Sequence, residues 1–191
     1  MKILFTILIS VFSFTKVSAT AQYPDKIFYN KKEYSLLTNP LEKYFEKNED
    51  KRPKGGVISS ALWRGYVATF EVIENQLFVK DINIQIWNEK SDKSEWKSVI
   101  NEVFPQIEQR KIEWFNGLLT LPYGEQINYV HMGYGSTYEN YILIEIEKGK
   151  STKSKELNFK EYENFKEKQF EVYKKTNEYL VRKKELKKDG W

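Results

Sequence analysis

Apolar and polar residues alternate one by one through the middle of the chain, in two stretches separated by a polar turn at Glu74–Asn75. Successive side chains of a β-strand point to opposite faces, so a period of two predicts strands with one buried and one solvated face. The two stretches, residues 64–72 and 77–87, are therefore predicted to form an antiparallel hairpin. The side chains predicted to face the core are Tyr66, Ala68, Phe70 and Val72 in the first strand, and Phe78, Ile82, Ile84 and Ile86 in the second.

Shorter stretches of the same kind lie on either side of this hairpin. Residues 26–37 predict another hairpin around a polar turn at 30–33. Residues 141–147 predict a strand with Ile142, Ile144 and Ile146 facing inward. Further strands are predicted over residues 112–121, where Pro122–Tyr123–Gly124 forms the closing turn, over 127–132 and over 153–157.

Three segments show helical spacing instead. Pro40 suits the first position of a helix and predicts a helical turn over residues 41–47. In residues 94–104, Ser94 is a predicted N-cap and the apolar residues fall on one stripe, which predicts a second helix. Asn158 and Glu161 have the spacing of a capping box and predict a C-terminal helix of about 25 residues, whose first half packs on the sheet. The apolar stripe of the second helix consists of Trp96, Val99, Ile100 and Val103.

These elements together predict an α+β fold. It consists of an antiparallel sheet built from hairpins, a short inserted helix and a long C-terminal helix packed on the sheet. The predicted divisions are a signal peptide over residues 1–21, a single α+β domain over 22–175 and a basic helix end or tail over 176–191.

The first residues match a secretory signal peptide. Lys2 precedes an apolar run over residues 3–14, and small side chains offer cleavage after Ala19 or Ala21. The run is shorter than the roughly 20 residues that a membrane-spanning helix needs, although an uncleaved anchor is the alternative. The chain has no cysteine to form a disulfide or carry a lipid. We therefore predict an exported bacterial protein that is periplasmic or secreted.

Charge and composition exclude several classes of function. Without Lys2 and Lys16, 29 basic residues stand against 27 acidic ones, mostly interspersed, which gives no basis for nucleic-acid binding. A chain with a single histidine, no cysteine and no HExxH spacing offers no recognisable metal or cofactor motif. We therefore predict no cofactor, no metal and no stable membrane insertion after signal cleavage.

The single histidine, His131, is the candidate catalytic residue. The alternative is a packed, hydrogen-bonded side chain, because no G-x-S-x-G motif accompanies it. A carboxylate pair for hydrolysis depends on a separation in space that the sequence does not give. The carboxylates on or near predicted strands are Glu71, Asp81, Glu113 and Glu139.

Two segments are candidates for binding. Arg64 shares the predicted inward face of Tyr66 and Phe70, where an arginine pairs with a carboxylate, stacks on a ring or holds an anionic ligand group. Residues 131–141 combine tyrosines with small polar residues and glycine, which is typical of a recognition loop, although buried tyrosines give the same pattern. The candidate ligand- or partner-binding residues are Trp63, Arg64, Tyr66, His131, Tyr134, Tyr138 and Asn140.

Three strings resemble a group of small exported bacterial proteins, often from Bacteroidetes-like genomes, that carry no assigned activity. They are ALWRGYVATFEV (61–72), KDINIQIW (80–87) and HMGYGSTYENYILIEI (131–146). The resemblance covers most of the chain after the signal peptide and implies no catalytic role. Lys31 departs from the glycine expected after Asn30 in the first hairpin.

We expect an exported, soluble, non-enzymatic binding protein, which is either inhibitor- or immunity-like and binds a protein partner, or binds a cell-envelope component. This predicts that Trp63, Tyr134 and Tyr138 expose one contiguous patch. The alternative is a periplasmic hydrolase with His131 as general base and Arg64 as a clamp for an oxyanion or carboxylate. It predicts that His131 lies in a cleft within hydrogen-bond reach of a carboxylate or hydroxyl. A purely structural envelope protein is the third possibility, and the sequence gives no oligomeric state.

Overall fold

The computed structural model describes residues 21–131 and 133–188, so the predicted signal peptide lies outside the described residues apart from Ala21. The described chain is a mixed α+β structure, which confirms the predicted fold class. Its strands are β1 Asp25–Tyr29, β2 Lys32–Leu36, β3 Val67–Ile73, β4 Gln76–Asn88, β5 Lys93–Ser98, β6 Gly117–Asn128, β7 Thr137–Glu147 and β8 Lys150–Asn158. Its helices are α1 Pro40–Phe45, α2 Ile100–Val103, α3 Phe159–Tyr173 and α4 Asn177–Lys188.

The strands form one sheet in the order β2-β1-β3-β4-β8-β7-β6, with β5 paired to β4 beside this path. Neighbouring strands are antiparallel except β1 and β3, which are parallel. The sheet curls until its two ends meet. The Leu37 N–H donates to the Thr120 carbonyl at 2.9 Å, and the Thr38 hydroxyl donates to the Leu118 carbonyl at 3.1 Å. The concave side of this curled sheet encloses the core.

Three tight hairpins connect the antiparallel strands, and the predicted hairpins over 26–37 and 64–87 are among them. Each turn holds two residues with positive φ: Asn30 and Lys31 at 49° and 64°, Glu74 and Asn75 at 50° and 63°. Two-residue loops of this kind match the twist of the strands and favour glycine at the second position. The third turn has that glycine, Gly149, and its backbone lies so close to Ile112 that a Cβ would overlap the Ile112 carbonyl.

Most side chains predicted to face inward do form the core, but Phe78 is a wrong prediction. Leu77 and Val79 are buried instead, and Phe78 is only half-buried on the other face. The β3–β4 ladder shifts by one residue at Lys80, a β-bulge that reverses the alternation of faces. The correctly predicted core residues are Tyr66, Ala68, Phe70, Ile82, Ile84, Ile142, Ile144 and Ile146, with Val72 and Ile86 packed against them.

The helix predicted over residues 94–104 is wrong in its first half. Residues 93–98 form β5, and only the short α2 follows. Small or apolar residues at 94, 96 and 98 alternate with charged ones at 93, 95 and 97, so the segment also fits a period of two. The ladder with β4 decides between the two patterns.

The strand predicted over residues 112–121 is displaced toward the C-terminus. β6 begins at Gly117 and continues through Pro122 to Asn128, so Pro122–Tyr123–Gly124 is not the predicted closing turn and 127–132 is not a separate strand. Proline is tolerated in an end strand because its missing N–H breaks no central ladder. Here Pro122 pairs with Tyr141 of β7 on one side.

The C-terminal helix begins with the predicted capping box. The Asn158 side chain accepts from the Glu161 N–H, and the Glu161 carboxylate accepts from the Asn158 N–H, both at 3.0 Å. The helix packs on the sheet through Tyr162, whose ring stacks on Tyr141 with centroids 3.8 Å apart. The predicted single helix is interrupted after α3, and the Thr176 hydroxyl accepts from the N–H of Tyr179 near the start of α4.

Candidate functional site

A buried ion pair lies at the point where the chain enters β3. Arg64 donates from Nη1 to the Asp25 carboxylate at 3.0 Å, and both side chains are almost fully buried. The second Asp25 oxygen accepts from the Ala68 N–H at 2.8 Å. The Arg64 Nη2 donates to the Tyr23 carbonyl at 2.9 Å. Arg64 thus joins the start of β3 to the residues that lead into β1.

Two further polar side chains extend this cluster. Arg64 also donates to the Asn39 side-chain oxygen, just before α1. The same oxygen accepts from the Tyr134 hydroxyl at 2.9 Å, from the loop between β6 and β7. One arginine and one amide therefore connect four segments that are distant in sequence. We refer to Asp25, Asn39, Arg64 and Tyr134 as the polar hub.

A second ion pair lies next to the hub. The Arg64 guanidinium lies 5.4 Å from the ring centre of Tyr66, and the Tyr66 hydroxyl donates to Glu42 at 2.7 Å. Glu42 also accepts two hydrogen bonds from Arg52, at 3.1 and 3.3 Å. Arg52 in turn lies over the Phe45 ring, 5.2 Å from its centre. These contacts hold α1 and the loop after it against the hub.

Burial dominates the protonation of the hub. It raises the pKa of Asp25 to about 6, while Arg64 and the Ala68 N–H act in the opposite direction. It also raises the pKa of Tyr134 to about 12 and that of Tyr66 far above its ordinary value. Burial works against the charge of Arg64, yet Asp25 keeps the pKa of Arg64 above its usual range. The tyrosines stay neutral and Arg64 stays charged at neutral pH.

Large aromatic rings are exposed on the segments that the hub connects. Trp63, next to Arg64, is 56% exposed, and Tyr23, whose carbonyl binds Arg64, is 46% exposed. The Tyr23 ring packs edge-on against Trp96 of β5, with centroids 5.9 Å apart. The Tyr23 N–H donates to the carbonyl of Ala61, two residues before Trp63, at 2.8 Å. We call Tyr23 and Trp63 the aromatic rim.

A shallow cleft of about 560 Å³ lies beside Trp63. Its walls are the Trp63 and Ile58 side chains and the glycine backbone at 55, 56 and 65. Arg52 and Glu49 form its polar side and are paired with each other at 3.4 Å. The cleft thus offers an aromatic ring and backbone groups beside the paired Arg52 and Glu49 and the exposed Lys54, which also lines it.

The structure brings together only some of the residues predicted to bind a ligand. Arg64 and Tyr66 lie below the surface and have the carboxylate and ring partners of the structural alternative. Tyr134 and Tyr138 are half-buried and line a cavity of about 50 Å³ beside Ala21 and Gln22, which shares no lining residue with the Trp63 cleft. The backbone N–H of Tyr138 donates to the Tyr141 hydroxyl at 2.9 Å. The half-buried Asn140 lies farther along β7.

His131 is exposed and packs edge-on against Tyr129, with ring centroids 4.6 Å apart. Among residues 21–131 and 133–188, no hydrogen bond joins it to a carboxylate or hydroxyl. The hydrolase hypothesis requires such a partner and a free Arg64, whereas Arg64 is occupied by Asp25 and Asn39. The described residues therefore do not assemble that catalytic arrangement.

The sequence prediction missed several residues of the site, namely Tyr23, Asp25, Asn39, Glu42 and Arg52. A signal for Asp25 was present, because it precedes Ile27 by two positions and so falls on the inward face of β1. A carboxylate at an inward position requires a buried partner. The inward-facing Arg64 is a natural match for it.

Fold and site together define an α+β protein with a buried polar hub beneath exposed aromatic rings. Comparison of the chain with protein-family models, with curated proteins and with solved structures found no match. In the described part of the chain, no three histidine or acidic side chains come together as a metal site. No helix of that part has the length and apolar character needed to cross a membrane.

Proposed function

We propose that this chain is an exported, non-enzymatic binding protein that recognises a protein or a cell-envelope component through the aromatic rim. The observation that carries the proposal is the exposure of Trp63 and Tyr23 directly beside the buried hub. Trp and Tyr are enriched among the few residues that contribute most of the energy at binding interfaces. The rings of Trp63 and Tyr23 are not needed to fill the core, because other aromatic residues are buried there.

Rigidity of the supporting segments favours the same function. A binding surface gains affinity when its anchors are held in place before the partner arrives, since less conformational entropy is then lost on binding. Arg64 binds the Tyr23 carbonyl and sits next to Trp63, so one buried side chain orients both anchors. In this proposal Arg64, Tyr66 and Tyr134 are positioning residues, and Trp63 and Tyr23 contact the partner.

The proposal is tested by binding experiments with matched variants. Purified wild-type chain, Trp63→Ala and Phe170→Ala are compared for capture of proteins from an envelope extract of the native cell and for co-sedimentation with purified cell-wall sacculi. Phe170 is 52% exposed on α3 and serves as an aromatic control outside the rim. We expect Trp63→Ala to lose at least tenfold in the amount of partner retained, because an aromatic anchor contributes 2 kcal/mol or more, as a rough scale.

Phe170→Ala is expected to retain the partner at the wild-type level. Equal losses from both variants would show that exposed aromatic residues bind non-specifically in these assays. Full retention by Trp63→Ala and by Tyr23→Ala, with both variants folded, would contradict the proposed surface.

A further inference from the structure

The strand β5 has one paired edge and one free edge. It pairs with residues 83–88 of β4, and all six of its side chains are exposed. Within the described residues, no backbone hydrogen bond extends from β5 to a strand on its other side. Such an edge presents a row of unpaired N–H and C=O groups that can accept another strand.

The backbone of β4 shows which groups of β5 point to this edge. The Gln85 carbonyl accepts from the Val57 N–H at 2.7 Å, and residues 56–57 lie on the β3 side of β4, opposite β5. Gln85 and its partner Trp96 are therefore a non-hydrogen-bonded pair of the β4–β5 ladder. It follows that the N–H and C=O of Trp96 point outward, as do those of Ser94 and Ser98.

We infer that β5 pairs antiparallel with β5 of a second copy of this chain, with Trp96 on the two-fold axis. A two-fold interface brings the same strand from both copies together. In this register Trp96 faces Trp96 of the second copy, and Ser94 faces its Ser98. Each outward residue then exchanges backbone hydrogen bonds across the axis.

Charge complementarity favours a second copy of this chain as the partner of β5, and it favours this register. Glu95 lies opposite Lys97 of the second copy, and by symmetry Lys97 lies opposite its Glu95. Opposite charges directly across two strands stabilise the pairing, and like charges destabilise it. In the single copy Lys97 contacts Glu102 at 3.3 Å, but both side chains are more than half exposed, so this surface pair is weak and exchangeable.

The aromatic residues of the hairpin support the same pairing. Trp96 is 46% exposed and Trp87 57% exposed, and both lie on one face because Trp96 pairs with Gln85, two residues before Trp87. Pairing across the axis places the two Trp96 rings side by side and extends this exposed face into the second copy. The inference does not depend on the proposed binding function, because it rests on the strand edge and its charges.

Charge exchange between two variants tests the register. We expect the wild type to dimerise with increasing concentration in sedimentation velocity experiments. Glu95→Lys and Lys97→Glu each place like charges opposite each other at two symmetric positions, and each is expected to weaken dimerisation at least tenfold. An equimolar mixture of the two restores opposite charges at both positions and is expected to dimerise like the wild type. Glu33→Lys, which alters the exposed Lys26–Glu33 pair on the β1–β2 hairpin, is the control and is expected to dimerise normally.

A single cysteine gives a second measurement, because the chain contains no other. Trp96→Cys places two thiols across the axis at about 5.5 Å between Cα atoms, within the range of a disulfide, and is expected to form a covalent dimer under mild oxidation. Trp87→Cys, one strand farther from the axis, is expected to remain monomeric on denaturing gels. A monomeric wild type at millimolar concentration, or a mixture of the charge variants that stays monomeric, would overturn the inference.

Discussion

Replacement of Arg64 by methionine tests the polar hub most directly. Methionine has a similar length and keeps the apolar packing, but it removes every donor that Arg64 supplies to Asp25, Asn39 and the Tyr23 carbonyl. Asp25 is fully buried, so its carboxylate would lose its charged partner without gaining water. Removing one member of a buried ion pair costs about 3–5 kcal/mol, a large share of the 5–15 kcal/mol by which a domain is typically stable.

The stability cost of Arg64→Met depends on pH, and the direction of this dependence follows from the pKa of Asp25. Its folded-state pKa of about 6 lies above its ordinary value of 3.8, so this group contributes stability that is present below pH 3.8 and is lost as the pH rises through 6. Near pH 5 Asp25 is mostly protonated and needs its arginine less, whereas at pH 7.5 it is ionised. Arg64→Met is therefore expected to be more destabilising at pH 7.5 than at pH 5.

Urea unfolding followed by tryptophan fluorescence measures both effects, because Trp63 lies next to the substitution. Arg52→Met is the matched control, since Arg52 is also paired with a carboxylate, Glu42, but is about one-quarter exposed. We expect its cost to stay near 1 kcal/mol, as for partly exposed ion pairs. A cost for Arg64→Met below about 1 kcal/mol, or one that is the same at pH 5 and pH 7.5, would refute the reasoning.

Two further predictions concern the hairpin turns. Lys31→Gly is expected to raise the free energy of unfolding by roughly 0.5–1 kcal/mol, because Lys31 holds a φ of 64° that glycine adopts without steric cost; an unchanged urea midpoint would count against this. Gly149→Ala is expected to lower the free energy of unfolding by more than about 2 kcal/mol, because its Cβ overlaps the Ile112 carbonyl as well as straining a positive φ. Gly133→Ala, which also has a positive φ but open space around its Cβ, is the control for the steric part and is expected to cost less than Gly149→Ala in the same urea experiment.

Local rules were sufficient for the hairpins and the helix start. Alternation with a period of two, interrupted by polar turns such as Glu74–Asn75, places the turns of β1–β2 and β3–β4 correctly. The capping box at Asn158 also depends only on residues three positions apart. Features of this kind are predictable because the residues that decide them are neighbours along the chain.

Local rules failed where a partner strand decides the structure. Residues 93–98 fit helical and extended patterns equally, and the β4 ladder selects the strand. A continuous alternation predicts Phe78 in the core, whereas the bulge at Lys80 reverses the alternation. A bulge depends on the register between two strands, and no pattern within one strand reveals it.

The polar hub illustrates the same limit at the level of the site. The alternation predicts that Arg64 faces inward, but its partners Asp25 and Asn39 lie 39 and 25 residues away along the chain. Only the parallel pairing of β1 with β3 and the closure of the sheet bring them together. Chemistry therefore predicts the types of partner, and the inward position of Asp25 in β1 points to that residue, whereas no local pattern points to Asn39.

The presence of the Arg64–Asp25 ion pair, instead of an apolar pair, bears on the function of the polar hub. An apolar pair of the same volume often stabilises a fold as well as a buried salt bridge does, because desolvation offsets most of the attraction. Hydrophobic packing is non-directional, however, whereas the planar guanidinium of Arg64 binds Asp25 and the Tyr23 carbonyl in one defined geometry. The hub therefore orients the segments that carry Trp63 and Tyr23, which is what a pre-organised binding surface requires.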